Sequence, residues 1–153
     1  MKKNDFIANE LCLSYRRNPK LSVSAFTKIK NSRCLEETFR QVWNIDEIEV
    51  RESFYALYMT NQLNVVGYYR IADGGIDAVA VDTKLIIKCA LLSNATRIAI
   101  AHNHPSGTLR PSDSDKVITQ RIKSACHIMD LKLLDHIILT DCDYYSFKDN
   151  GDL

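Results

Sequence analysis

The chain has 153 residues, 46% of them hydrophobic and 25% charged, with a formal net charge of +1, a balance ordinary for a folded globular protein and too apolar for intrinsic disorder. Its longest apolar runs fall far short of a membrane span, and Met1-Lys2-Lys3-Asn4-Asp5 leads into no sustained hydrophobic region of the signal-peptide kind. Cys12, Cys34, Cys89, Cys126 and Cys142 form an odd, scattered set without metal-ligand spacing, as expected of free thiols in a reducing cytoplasm.

In chain order, residues 1–45 read as a basic, mainly helical N-terminal extension and residues 46–153 as one domain. Through Leu35 there are eight Lys and Arg against Asp5 and Glu10, a balance of +6, whereas residues 36–52 carry −4. Phe26, Ile29, Leu35, Phe39, Val42 and Trp43 are placed to cover a sheet. Ser53 to Met59 is an apolar, alternating strand. Asn61-Gln62 turns the chain, Val65 to Ile71 returns antiparallel, and Asp73-Gly74-Gly75 ends it. A short strand is expected over Ile76 to Val81. Asp82 then caps a helix with Leu85, Cys89 and Leu92 on one face, closed by Asn94.

Arg97-Ile98-Ala99-Ile100-Ala101 is short, apolar and rich in β-branched residues, which predicts a strand buried on both faces. His102 and His104 follow it two residues apart, so both rings fall on one side of extended backbone. Pro105 forces the chain out of the sheet. After a polar loop, Ser112 and Asp115 open a helix over 113–129 with Ile118, Ile122, Ala125 and Met129 as its apolar stripe, and the helix dipole favours the Asp115 carboxylate anion. Strands over Leu133–Leu139 and Tyr144–Phe147, joined at Asp141-Cys142-Asp143, complete a mixed sheet with helices on both sides, a three-layer α/β fold.

Two imidazoles and one carboxylate at a strand mouth suit a divalent metal, zinc by ligand type, with the fourth position open to a water whose pKa the metal lowers. Taken alone, Ser112 with Asp115 is better read as a helix capping box than as part of a metal site. Glu52, at the entrance of the first strand, reads either as a partly desolvated proton shuttle or as an ordinary solvated glutamate, and the residues alone leave both open. His127 reads as a surface or packing residue, and His136 as a support behind a metal ligand or as purely structural, the latter favoured. There is no His-x-Glu with Pro-Cys-x-x-Cys as in zinc deaminases, no His-Glu-x-x-His, no Gly-x-Ser-x-Gly and no Walker loop.

His-x-His-Pro, six residues, Ser, two residues, Asp resembles the JAMM motif of the JAB/MPN metalloprotease fold, and His102, His104, Pro105, Ser112 and Asp115 fill it. His102-Asn103-His104-Pro105-Ser106-Gly107, Pro111-Ser112 and Leu134-Asp135-His136-Ile137-Ile138 resemble its bacterial RadC branch, over roughly residues 46–153. The resemblance implies a three-layer JAB/MPN-like, deaminase-like domain holding one Zn²⁺ per chain on His102, His104 and Asp115. It also implies Glu52 as general base and Ser112 as a donor to the oxyanion.

The expectation is therefore a cytoplasmic, zinc-dependent hydrolase that cleaves a peptide or isopeptide bond in an unidentified protein or peptide. The alternative is a non-catalytic or weakly active RadC-like module, associated with DNA repair or with nucleic-acid or protein binding through the basic residues 1–35. RadC relatives commonly carry an N-terminal helix-hairpin-helix region whose turns need glycine. Here the first glycine is Gly67, so that module is not expected in residues 1–45, which weakens the DNA link.

Overall fold

The structure, a computed structural model, describes residues 14–15, 27–74 and 80–153. Ser53–Met59 forms β1, and all of its side chains are buried. Alternation sends Phe54, Ala56 and Tyr58 into one apolar layer and Tyr55, Leu57 and Met59 into the other. A strand buried on both faces belongs inside a sheet. β1 accordingly pairs antiparallel with Val65–Asp73 (β2) and with Arg97–Asn103 (β3).

β3 runs parallel to Lys132–Leu139 (β4), which pairs antiparallel with Tyr144–Ser146 (β5). The result is a mixed five-stranded sheet in the order β2-β1-β3-β4-β5. A parallel pair needs a long crossover, and the link from β3 to β4 contains the helix Asp113–Ile128 (α3).

Helices cover both faces, as the three-layer α/β reading expects. Ser32–Val42 (α1) starts at Asn31, whose side chain accepts the Cys34 N–H. It buries Leu35 and Phe39 with Ile29 and Trp43 against Tyr55, Leu57, Ala101 and Ile137. Arg40 secures the far end by donating to the carbonyls of Asp141 and Asp143, both at 3.1 Å. Thr83–Leu92 (α2) and α3 lie on the opposite face with Phe54, Ile98 and Ile100.

Several local expectations shift. Asp82 caps α2 by accepting the Lys84 N–H, but the buried side chains are Thr83, Ile86 and Ala90, with Leu85 and Cys89 at the margin. The neighbouring positions Leu85 and Ile86 are both apolar, so periodicity left the helix rotation undecided. In α3 the buried stripe is Asp115, Thr119, Ile122 and Cys126. Met129 is exposed because two polar residues serve the site and rotate the helix away from its most apolar line. Residues 76–79 of the expected strand lie outside the described residues, and Ala80 and Val81 are not in a strand. Phe26 and most of the basic arm are likewise outside. Ile29 belongs to an extended segment in which Lys28 bridges Asn64. Among the described residues no helix is long and apolar enough to cross a membrane.

β4 carries an irregularity that bears on the site. Ile98 pairs with Leu133 but Ala99 pairs with Asp135, leaving Leu134 as an extra residue. Such a bulge reverses which face the following side chains take. Leu133 therefore faces the layer of α2 and α3, yet Ile137 and Leu139 face that of α1, and His136 lies on the same side as its pair partner Ile100.

Phe39 is fully buried and meets Trp43 edge-on at 6.5 Å. Phe39→Ala is expected to lower unfolding free energy by about 3–5 kcal/mol, read by denaturant titration. A loss below about 1 kcal/mol would show that α1 is not integral to the core.

Candidate metal centre

β3 ends with His102 and Asn103 still in register, two residues further than its apolar pattern suggested. His104 also stays extended, donating its backbone N–H to the Leu139 carbonyl at 2.9 Å. Both imidazoles therefore project to one side, and their Nε2 atoms lie 2.9 Å apart. Phe54 pairs with His102 across β1 and β3. Continuing that register by two residues sets Glu52 opposite His104.

Asp115 arrives from the first turn of α3. Its Oδ1 lies 3.1 Å from His102 Nε2 and its Oδ2 lies 3.4 Å from His104 Nε2. In a tetrahedral zinc site with bonds of about 2.0–2.1 Å, neighbouring ligand atoms are about 3.3 Å apart. The three separations bracket that value, and the donor set of two imidazoles and a carboxylate suits a divalent metal. The capping box is present too. Ser112 Oγ accepts the Asp115 N–H at 3.1 Å, and Asp115 Oδ2 accepts the Ser112 N–H at 2.7 Å. The two readings of this Ser/Asp pair are thus compatible, because the carboxylate is both a cap and a potential ligand.

The loop between them positions His104. Gly107 has φ +77°, a conformation that disfavours other residues. Its turn brings the Thr108 carbonyl to 2.6 Å from His104 Nδ1. A carbonyl only accepts, so Nδ1 carries the proton and Nε2 is left to face the site.

These groups sit on a cleft of about 990 Å³ whose walls also include Glu52, Ser112, Arg110 and Arg121. Burial pushes the Glu52 carboxyl above its usual range, partly offset by the charges of His102 and His104. Burial also opposes ionisation of Asp115, but the imidazoles of His102 and His104 beside it outweigh that and hold its carboxyl far below the usual carboxylate range. Asp115 in turn raises His104. His136 is driven well below the usual imidazole range by complete burial.

The sequence matches the model of the RadC-like JAB domain over residues 29–152. The chain belongs to the RadC-like JAB domain family. A UPF0758 protein of Flavobacterium johnsoniae is 45% identical over 100 residues, covering 65% of this chain and 44% of that relative. A UPF0758 protein of Aliivibrio salmonicida is 38% identical over 129 residues, covering 82% of this chain and 58% of the relative. The chain therefore spans about half the length of these curated relatives. The family match begins at residue 29 and so takes in α1.

Three polar residues of this RadC-like domain support the site, and of these the sequence raised that possibility for His136 alone. Asn103 is completely buried. Its Oδ1 accepts the Ser53 N–H at 2.8 Å, and its Nδ2 donates to the carbonyls of Ile48 at 2.7 Å and Arg51 at 2.9 Å. The groups held by Asn103 on Arg51 and Ser53 flank Glu52, and the Glu52 carbonyl accepts the Gly74 N–H at 2.9 Å. The backbone of Glu52 is thereby held on both sides. His136, read as structural, places Nε2 only 2.7 Å from His102 Nδ1, and Thr119 stands behind it with Oγ1 2.6 Å from His136 Nδ1. The signal for Asn103 lay inside His102-Asn103-His104: a residue between two ligands on a strand faces the opposite layer, where a polar side chain needs partners. Exposed His127 stands apart from the site.

Asn103→Ala removes three buried hydrogen bonds and is expected to destabilise the domain by about 3 kcal/mol, measured by chemical denaturation. A change within about 0.5 kcal/mol would show that the Glu52 segment is held by other contacts.

Proposed function

We propose that this domain is a zinc-dependent hydrolase of peptide or isopeptide bonds. The observation that carries the reading is the convergence of His102 Nε2, His104 Nε2 and the Asp115 carboxylate beside Glu52 in one cleft. Family membership favours the same chemistry, since the motif shared with JAMM metalloproteases falls on these residues. When bound, zinc would polarise the scissile carbonyl and acidify a water molecule.

The chain's own residues supply the remaining work. Glu52, with a proton affinity raised by burial, takes a proton from the attacking water and returns it to the leaving nitrogen as the C–N bond breaks. Water adds to the carbonyl carbon, and the products are a carboxylic acid and an amine. Ser112 accepts the Asp115 N–H on its oxygen, which leaves its hydroxyl proton to be donated to the oxyanion. The stacked ring of Phe54, whose centroid lies 6.0 Å from that of His102, shields the inner side of the imidazole pair from water. His104 and Asp115 remain on the solvent side, where a carbonyl can approach.

Purified protein is expected to contain about one zinc per chain by elemental analysis, and His104→Ala or Asp115→Asn to lose it. Glu52→Gln is expected to retain the metal while turnover of isopeptide-linked and linear peptide pools drops by about 10²–10⁴-fold. Undiminished turnover in Glu52→Gln would remove Glu52 from the mechanism. A zinc-loaded wild type inert toward every pool would overturn the hydrolase reading.

A further inference from the structure

A histidine binds a metal through a nitrogen that carries no proton, so a ligand needs the correct tautomer as well as the correct position. We infer that Thr119 and His136 are positioning residues that hold the proton of His102 on Nδ1 and keep the lone pair of Nε2 aimed at the metal site. The use made of that lone pair rests on the metal reading above. The proton order does not.

The assignment follows from donors and acceptors taken in turn. Thr119 Oγ1 lies 2.5 Å from the carbonyl oxygen of Asp115, one helical turn earlier in α3. A carbonyl can only accept, and two oxygens that close need a proton between them, so the single hydroxyl proton of Thr119 is donated there. Thr119 Oγ1 is also 2.6 Å from His136 Nδ1. With its proton committed, Thr119 accepts in this second bond, and His136 Nδ1 carries the hydrogen.

His136 is completely buried, with the Phe147 ring stacked on it at 4.6 Å and the Phe54 ring tilted against it at 5.6 Å. An apolar enclosure disfavours a charged imidazolium, and a neutral ring has only one N–H. Its Nε2 is therefore an acceptor, and the 2.7 Å contact with His102 Nδ1 is a bond donated by His102. The other nitrogen of His102, Nε2, is left unprotonated 3.1 Å from Asp115 Oδ1. The path closes on itself: Asp115 faces His102 through its carboxylate and fixes the proton of Thr119 through its backbone carbonyl. α3 thus brings an acid to the site and sets the tautomer of a histidine on β3, acting through β4.

The reverse order would require the Thr119 hydroxyl to donate to His136, leaving the 2.5 Å oxygen pair without a proton between its atoms. That order would also place a hydrogen on His102 Nε2, which would have to leave before a metal could bind.

The decisive measurement is a long-range ¹H–¹⁵N spectrum of the chelator-treated, histidine-labelled wild type. His102 and His136 are both expected to show protonated Nδ1 and bare Nε2. A His102 protonated on Nε2 overturns the relay, whether or not zinc binds. Thr119→Val preserves shape without the hydroxyl and is expected to shift His102 toward the Nε2–H form and weaken Zn²⁺ binding by about 10–100-fold, read by competition with a chromophoric chelator. Thr119→Ser loses the methyl but keeps the hydroxyl and is expected to retain both, which a role of Thr119 in methyl packing alone would not allow. A folded Thr119→Val variant with wild-type tautomer and zinc affinity overturns the assignment. Wild type that shows the expected tautomer but binds no zinc supports the relay and counts against the metal reading.

Discussion

Two imidazole nitrogens 2.9 Å apart, with a carboxylate within 3.4 Å of either, form an arrangement that the rest of the domain must hold together. Nitrogen lone pairs at that distance repel unless a proton or a cation lies among them, and the surrounding low dielectric strengthens the effect. Asp115 supplies the compensating negative charge. Its carboxylate is fixed by the backbone N–H of Ser112 and by the dipole at the start of α3, so its position does not depend on the histidines alone. This cluster explains why the domain buries polar side chains where an apolar core would be simpler to build. Thr119, His136 and Asn103 are all fully buried, and each is hydrogen-bonded to a group that supports a ligand or the segment bearing Glu52.

The sheet makes such placement reproducible. β1 and β3 are buried on both faces, which ties their register to the apolar pattern, because a slip of one residue would exchange the two layers. The same register that buries Ile98 and Ile100 pairs His102 with Phe54 and brings Glu52 to the mouth of the strands. α1 seals the opposite layer through Phe39 and Trp43 and leaves the site face to α2 and α3. Hydrophobic register and site geometry are consequently the same constraint at two ends of two strands.

Much of this was legible from residue pattern. Alternation over Ser53–Met59 defined β1 and its two faces, and Pro105 marked where the chain leaves the sheet. Identical ring direction for His102 and His104 followed from their spacing. What escaped the pattern has physical causes. Leu85 and Ile86 are equally apolar, so the rotation of α2 was settled only by packing. The inward stripe of α3 includes Asp115 and Thr119, whose polarity points outward by any hydropathy rule until their partners are known. Asn103 and His136 are ordinary polar residues in strands, and only the contact of β3 with β4 shows what they hold. The positions suited to ligate were visible because metal chemistry restricts residue types sharply. The supporting residues were not, because many side chains can donate or accept a hydrogen bond.

The extra residue at Leu134 sets how this strand would respond to a change in its length. Before it, β4 presents Leu133 to the layer shared with α2 and α3, and after it the strand presents His136 on that side while Asp135 turns toward Ser146 and the Lys148 N–H. Removing Leu134 alone would leave Leu133 opposite Ile98, Asp135 opposite Ala99 and His136 opposite Ile100, so the imidazole would still stand behind His102 in a strand made regular. The bulge thus absorbs one residue of strand length without moving His136, and its removal would be felt instead in the layer of α1, where Leu134 packs.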